Sequence, residues 1–118
     1  MNSKIQKTVD AQYDELCRDC FAHWITSLWG KYDEAFTFEE NKDAFFYLLE
    51  RLLREGRVTF DHPEKPVLWG ETSEVMLNYF KDNWPHGVTT EDDIQLTIYF
   101  YRMPPIAWRG PDGEWHGS

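Results

Sequence analysis

Thr89-Thr90-Glu91-Asp92-Asp93-Ile94-Gln95-Leu96-Thr97-Ile98-Tyr99-Phe100-Tyr101-Arg102-Met103-Pro104-Pro105 carries two conflicting signals. Its opening reads as a helix start: hydroxyl residues able to cap, then acids that suit the positive end of a helix dipole. Its middle reads as a half-buried strand, because Ile94, Leu96, Ile98 and Phe100 alternate with Gln95, Thr97, Tyr99 and Tyr101. A strand here gives a protein with a substantial sheet; a helix gives a mainly helical one. The start signal favours the helix, and Pro104-Pro105 ends the element in either case.

The chain before this stretch is helical in pattern. Val9, Tyr13, Leu16, Cys17, Cys20, Phe21, Trp24, Ile25 and Leu28 recur at steps of three and four. They predict one amphipathic helix running to Leu28 and stopped at Gly30. Ser3 and Gln6 have capping-box spacing, and Thr8 is a second candidate cap. Thr37-Phe38-Glu39-Glu40 is a capping box for a second helix, whose buried face is Phe45, Leu48, Leu49 and Leu52 and whose end is Gly56. On its wet side Glu50 with Arg54 and Arg51 with Glu55 are spaced as i,i+4 ion pairs. Arg57-Val58-Thr59-Phe60 is β-prone and short. Asp61-His62-Pro63-Glu64-Lys65-Pro66 continues neither regular element, since its prolines lack N–H donors. A third helix follows Leu68-Trp69-Gly70, with Val75, Met76, Tyr79 and Phe80 inward, and stops at Trp84-Pro85-His86-Gly87.

Gly110-Pro111-Asp112-Gly113 is turn chemistry and predicts a C-terminal hairpin. A three-residue loop with a bulge sets Gly110 opposite Glu114, Arg109 opposite Trp115 and Trp108 opposite His116. Arg109 then lies over Trp115 as a cation–π pair. The expected fold is therefore mainly α (α+β): one domain over residues 1–118, three to four packed helices and a short C-terminal β-hairpin. The expected core is Leu16, Phe21, Trp24, Leu28, Phe45, Leu48, Leu49, Leu52, Val75, Tyr79, Phe80, Leu96 and Phe100.

Charge bounds the function. The 118 residues hold 12 Lys and Arg against 21 Asp and Glu, a formal charge of -9. Such a domain repels nucleic acid and anionic membranes and attracts cationic proteins. No apolar run is long enough to cross a membrane, and the first residues lack a signal-type apolar stretch. Two cysteines do not make a disulfide scaffold, which suits a reducing, cytoplasmic setting. Cys17-Arg18-Asp19-Cys20 is a C-x-x-C, but it lies deep in a helix where small apolar residues belong; redox and metal roles lack their required context. His23, His62, His86 and His116 are scattered, with no i,i+4 pair. No serine sits in a nucleophile elbow, and no glycine-rich phosphate loop or calcium loop is present. We expect no catalytic residue, no cofactor and no metal.

Two acidic clusters remain. Asp33, Glu34, Glu39, Glu40 and Asp43 surround the start of the second helix, and Glu91, Asp92 and Asp93 precede the fourth element. One reading is a solvated surface with helix-end acids; the other is a docking face for a basic partner, anchored by Trp69 and Trp84 in loop-flanking positions. The aromatic excess, six Trp among 118 residues, leaves room for a homodimer as well.

Tyr99-Phe100-Tyr101-Arg102-Met103-Pro104-Pro105, Ile106-Ala107-Trp108 and Gly110-Pro111-Asp112-Gly113, together with size and charge, resemble immunity proteins of bacterial polymorphic toxin systems, including contact-dependent growth inhibition. The resemblance implies a small, acidic, cytoplasmic and non-catalytic protein. It implies a cognate toxin domain as partner, often a basic nuclease, neutralised by direct binding. It transfers no site residue. The alternatives are another interaction or adaptor module and a small enzyme using carboxylate or histidine chemistry.

Overall fold

A computed structural model describes residues 3–30, 32–60 and 68–117. The Asp61–Pro66 segment, with His62, lies outside the described residues. Among the described residues four α-helices and three short strands follow one another: α1 (Ser3–Cys20), α2 (Phe38–Arg54), β1 (Val58–Phe60), α3 (Ser73–Asp82), α4 (Ile94–Arg102), β2 (Ile106–Arg109) and β3 (Trp115–Gly117). The architecture is the expected one, mainly helical with a C-terminal hairpin. The brief Val58–Phe60 strand adds a third member to the sheet.

Local chemistry explains α2 most completely. The Thr37 hydroxyl accepts from the Glu40 amide at 3.2 Å, and the Glu40 carboxylate accepts from the Thr37 amide at 3.0 Å. Two of the four orphan donors of the helix start are thus satisfied. Phe45, Leu48, Leu49 and Leu52 are buried along one face, and α2 packs against α1 on one side and α3 on the other. Arg54–Glu50 at 2.9 Å and Arg51–Glu55 at 2.8 Å are the pairs the spacing predicted. Asp10 of α1 joins Arg51 at 2.8 Å, and the Arg51 guanidinium stacks 3.6 Å from the Tyr13 ring centre. These links lace α1 to α2 at the surface.

The first helix is shorter than its periodicity predicts. It ends at Cys20, and Ala22 takes a φ of 62°, a left-handed turn that costs a residue with a Cβ about 1–2 kcal/mol. A separate 3₁₀ turn, Ile25–Leu28, follows. The apolar spacing survives the break because Ile25 and Leu28 are still buried at 5% and 1% exposure. Phe21 and Trp24, expected in the core, are instead 36% and 46% exposed. Tertiary bonds hold the turn: the Trp108 indole donates to the His23 carbonyl at 3.1 Å, and the Cys20 thiol to the Ser27 carbonyl at 3.4 Å.

α3 is capped by Thr72, whose hydroxyl accepts from the Val75 amide at 3.2 Å. Its buried stripe is narrow, carrying Met76 and Phe80, with Tyr79 half-buried; Val75, expected inside, is 43% exposed. The Ser73 hydroxyl donating to the Leu53 carbonyl at 3.1 Å fixes the helix in a rotation that leaves Val75 outside.

The sheet order is β1-β2-β3, antiparallel throughout, with Val58 opposite Trp108 and Phe60 opposite Ile106. The hairpin register is the expected one: Trp108 faces His116, Arg109 faces Trp115, and the Gly110 amide donates to the Glu114 carbonyl at 2.9 Å. Arg109 stands 4.7 Å from the Trp115 ring centre. Gly113 has a φ of 80°, which favours glycine, and a Cβ on Gly110 would come within 2.5 Å of the His116 ring, so that side chain would have to shift. β1 pairing brings Trp108 to 2% exposure beneath the sheet, where Phe60 and Phe80 meet at 4.4 Å.

Candidate functional site

The disputed segment is a helix, and its faces define a surface. Asp93 caps α4 by accepting from the Gln95 amide at 2.9 Å, so Glu91 and Asp92 precede the helix instead of filling its first turn. With about 3.6 residues per turn, Leu96, Tyr99 and Phe100 share one side. All three are buried. Phe100 meets Phe45 at 5.6 Å and Trp29 at 6.1 Å, and the Tyr99 hydroxyl donates to the Phe80 carbonyl at 2.7 Å.

The opposite side of α4 carries Ile94, Thr97, Ile98 and Tyr101, and it is apolar where a surface helix is normally polar. Ile94 and Tyr101 are each 68% exposed. Trp24, turned outward by the break after α1, stands edge-on to Tyr101 with ring centres 5.0 Å apart. A shallow groove of about 160 Å³ runs beside this pair, bordered by Met103, Pro104 and Pro105. Exposed apolar groups lying together in this way mark interaction surfaces more often than scattered ones do.

The second acidic cluster is tied to α2 through a neutral side chain. The side-chain amide of Asn41, in α2, donates to the Glu91 carboxylate at 3.2 Å and so joins segments 50 positions apart in the chain. Asn41 is buried at 6% exposure, and its own Oδ1 has no partner among the described residues. Several of the acids have structural work. Asp33 accepts from the Ala35 amide at 2.8 Å; Glu40 closes the capping box and lies 3.9 Å from Lys4; Asp93 caps α4. The backbone hydrogen bond from Thr37 holds the Glu40 carboxyl below its ordinary range. Glu34, Glu39, Asp43 and Asp92 enter no hydrogen bond or ion pair among the described residues and leave their charge to the solvent side.

The two tryptophans expected as anchors are placed otherwise. Trp84 is half-buried against Phe46 at 5.5 Å and Tyr99 at 5.1 Å, with the Lys42 ammonium 5.1 Å over its ring. Trp69 is half-buried against Trp115 at 6.3 Å. Trp84 packs against the core, and Trp69 is covered by the hairpin; the exposed aromatics are Phe21, Trp24 and Tyr101. Ile94 and Ile98 were legible in principle. Apolar residues on both sides of one short helix produce the same alternation that imitates a strand, and that alternation was the signal.

The chemistry-bearing residues are dispersed. Cys17 and Cys20 are free thiols at the C-terminal end of α1, where the helix dipole disfavours a thiolate. Burial pushes the Cys17 thiol up. His23 and His86 are exposed, and His116 bonds Asp112 at 3.2 Å. No three His, Cys, Asp or Glu side chains gather as a metal site among the described residues, and no described helix is long and apolar enough to cross a membrane.

No protein-family model and no curated protein matches the chain. Its fold is similar to that of a solved structure, an uncharacterized protein conserved in bacteria from Neisseria meningitidis. The TM-score is 0.74 at 22% identity, covering 97% of this chain and 92% of the other. That likeness carries over the whole domain and concerns the fold.

Proposed function

We propose that this chain is a non-catalytic binding protein whose α4 face docks a basic protein partner. The observation that carries the reading is the apolar row of exposed Ile94, half-buried Ile98 and exposed Tyr101, extended by Trp24, with Glu91 and Asp92 just ahead of it in the chain. Apolar anchors supply affinity, and a surrounding field of one sign supplies rate and selectivity. With a net charge of -9, the chain draws a cationic partner from about a Debye length away, roughly 8 Å at physiological salt.

The partner class is a toxin domain, and the chain acts as its immunity protein in the cytoplasm. The resemblance over residues 99–113 supports this, since that stretch spans the end of α4, Met103-Pro104-Pro105 and the hairpin turn. Covering a basic catalytic surface requires no chemistry from the inhibitor, only a complementary face.

Co-expression with the product of the adjacent reading frame, followed by size-exclusion chromatography and calorimetry, tests it. A one-to-one complex is expected, weakened at least tenfold by Tyr101→Ala or Ile94→Asp, with an association rate that falls as salt rises. Paired Asp43→Lys and Asp92→Lys substitutions, at exposed acids that enter no hydrogen bond or ion pair among the described residues, should slow association while leaving the fold intact. A complex indifferent to both sets of variants overturns the assignment of this face.

A further inference from the structure

A surface cavity of about 660 Å³ lies between the C-terminal half of α1 and the hairpin turn, and shares no residue with the α4 face. Its charge runs against that of the chain. Arg18, Arg57 and Arg109 all line it, opposed by the single acid Asp14, in a protein whose formal charge is -9. The three cations come from α1, the residue before β1 and the end of β2, and the pairing of β1 with β2 brings two of them together: the Arg109 amide donates to the Arg57 carbonyl at 2.9 Å.

Of these guanidinium groups, Arg18 and Arg109 have no carboxylate partner among the described residues, and Arg57 has one. Arg109 is stacked on Trp115 at 4.7 Å, a contact with the ring face that leaves its in-plane N–H donors unspent. Arg57 lies 5.2 Å from the Tyr13 ring and reaches one carboxylate, Glu55, at 3.5 Å. Cys17 borders the same space as a neutral thiol, so it does not offset the cations. The remaining wall is apolar: Phe21, 36% exposed and braced by His116 at 5.6 Å and Trp108 at 6.4 Å, with Pro111 beside it.

We propose that this cavity binds a small organic phosphate bearing a flat apolar group, with the phosphate among Arg18, Arg57 and Arg109 and the flat group against Phe21. The volume falls in the range of small-molecule sites, roughly 300–1,000 Å³. A phosphate monoester, with a charge of about -1.5 to -2 at neutral pH, matches several guanidinium groups better than a single carboxylate does. The site is independent of the α4 face and stands or falls without it.

The test uses the intact chain with three probes: phenyl phosphate, inorganic phosphate and benzyl alcohol. Calorimetry and amide chemical shifts should show saturable binding of phenyl phosphate, with shifts centred on Phe21, Arg109 and Gly110. Inorganic phosphate should bind more weakly, and benzyl alcohol not at all. Arg18→Gln and Arg109→Gln, both at exposed positions, should each weaken phenyl phosphate about tenfold. Phe21→Ala should weaken phenyl phosphate but leave inorganic phosphate unchanged. The proposal is overturned if phenyl phosphate does not saturate by about 10 mM, or if its binding ignores both arginine variants. Equal binding of all three probes overturns it as well, and a Phe21→Ala variant that loses both phosphates alike overturns the placement of the ring.

Discussion

Replacing Tyr99 by phenylalanine removes one oxygen atom and tests how α4 is held. The Phe80 carbonyl belongs to the last turn of α3, where four carbonyls lack intrahelical donors. The Asn83 amide bonds the Tyr79 carbonyl and the Trp84 amide bonds the Lys81 carbonyl, while the Tyr99 hydroxyl supplies the Phe80 carbonyl at 2.7 Å. Tyr99 is 4% exposed and Phe80 0%, so water does not substitute readily. Burial also holds the Tyr99 hydroxyl protonated well beyond the ordinary tyrosine range, which keeps it a donor. The variant loses a hydrogen bond and strands a buried carbonyl, a cost of about 1–3 kcal/mol. Unfolding entropy of about 2.1 cal/mol/K per residue over 118 residues converts this to a Tm lowered by roughly 4–12 °C. Thermal unfolding followed by far-UV circular dichroism at neutral pH measures it. Tyr101→Phe is the control, since Tyr101 is 68% exposed and its change should stay within about 0.5 kcal/mol. A Tyr99→Phe midpoint within about 2 °C of the parent would refute the reasoning, because the carbonyl would then have another donor.

Further outcomes follow from the same geometry. Trp108→Ala should cost about 3–5 kcal/mol in urea denaturation, whereas Trp24→Ala, at 46% exposure, should cost about 1 kcal/mol or less despite removing the same ring. Asn41→Leu removes a buried Oδ1 that has no partner among the described residues, so stability should change by less than about 1 kcal/mol or rise; a loss above about 2 kcal/mol would show that the Glu91 bond is structural. The Arg51 side-chain hydrogen bond holds Glu55 below its ordinary 4.5, and the Thr37 amide does the same for Glu40. Because the folded-state values are depressed, their contribution is present above 4.5 and is lost as pH falls through the lower folded values. Urea midpoints should therefore drop on acidification, and Glu55→Gln should flatten that drop.

The elements that could be read from the chain are those specified by neighbouring residues. Thr37 and Glu40 satisfy one another across a single turn, and Gly110-Pro111-Asp112-Gly113 sets its own register, so both appear where expected. The end of α1 failed that test. Apolar spacing continues from Cys20 to Leu28 and mimics one helix, while the backbone turns at Ala22 under bonds from residues as distant as Trp108. Trp24 and Phe21 consequently changed from core to surface. The same limit applied to the site: the acids were visible singly, but the apolar row that follows Glu91 and Asp92 was hidden in a pattern shared by strands and two-faced helices.

What the sequence determined by itself is the mainly helical class, the α2 cap, the hairpin and the excess of negative charge. Each depends on residue type and on contacts a few positions apart, which any conformation of the chain encounters. What only the tertiary structure decided is where distant groups meet. Asn41 of α2 meets Glu91 ahead of α4, β1 pairing with β2 gathers Arg57 and Arg109 beside Arg18, and the Tyr99 hydroxyl under α3 fixes which side of α4 faces out. Those meetings depend on closing long loops, whose entropic cost is offset by packing of the whole core and not by any local pattern.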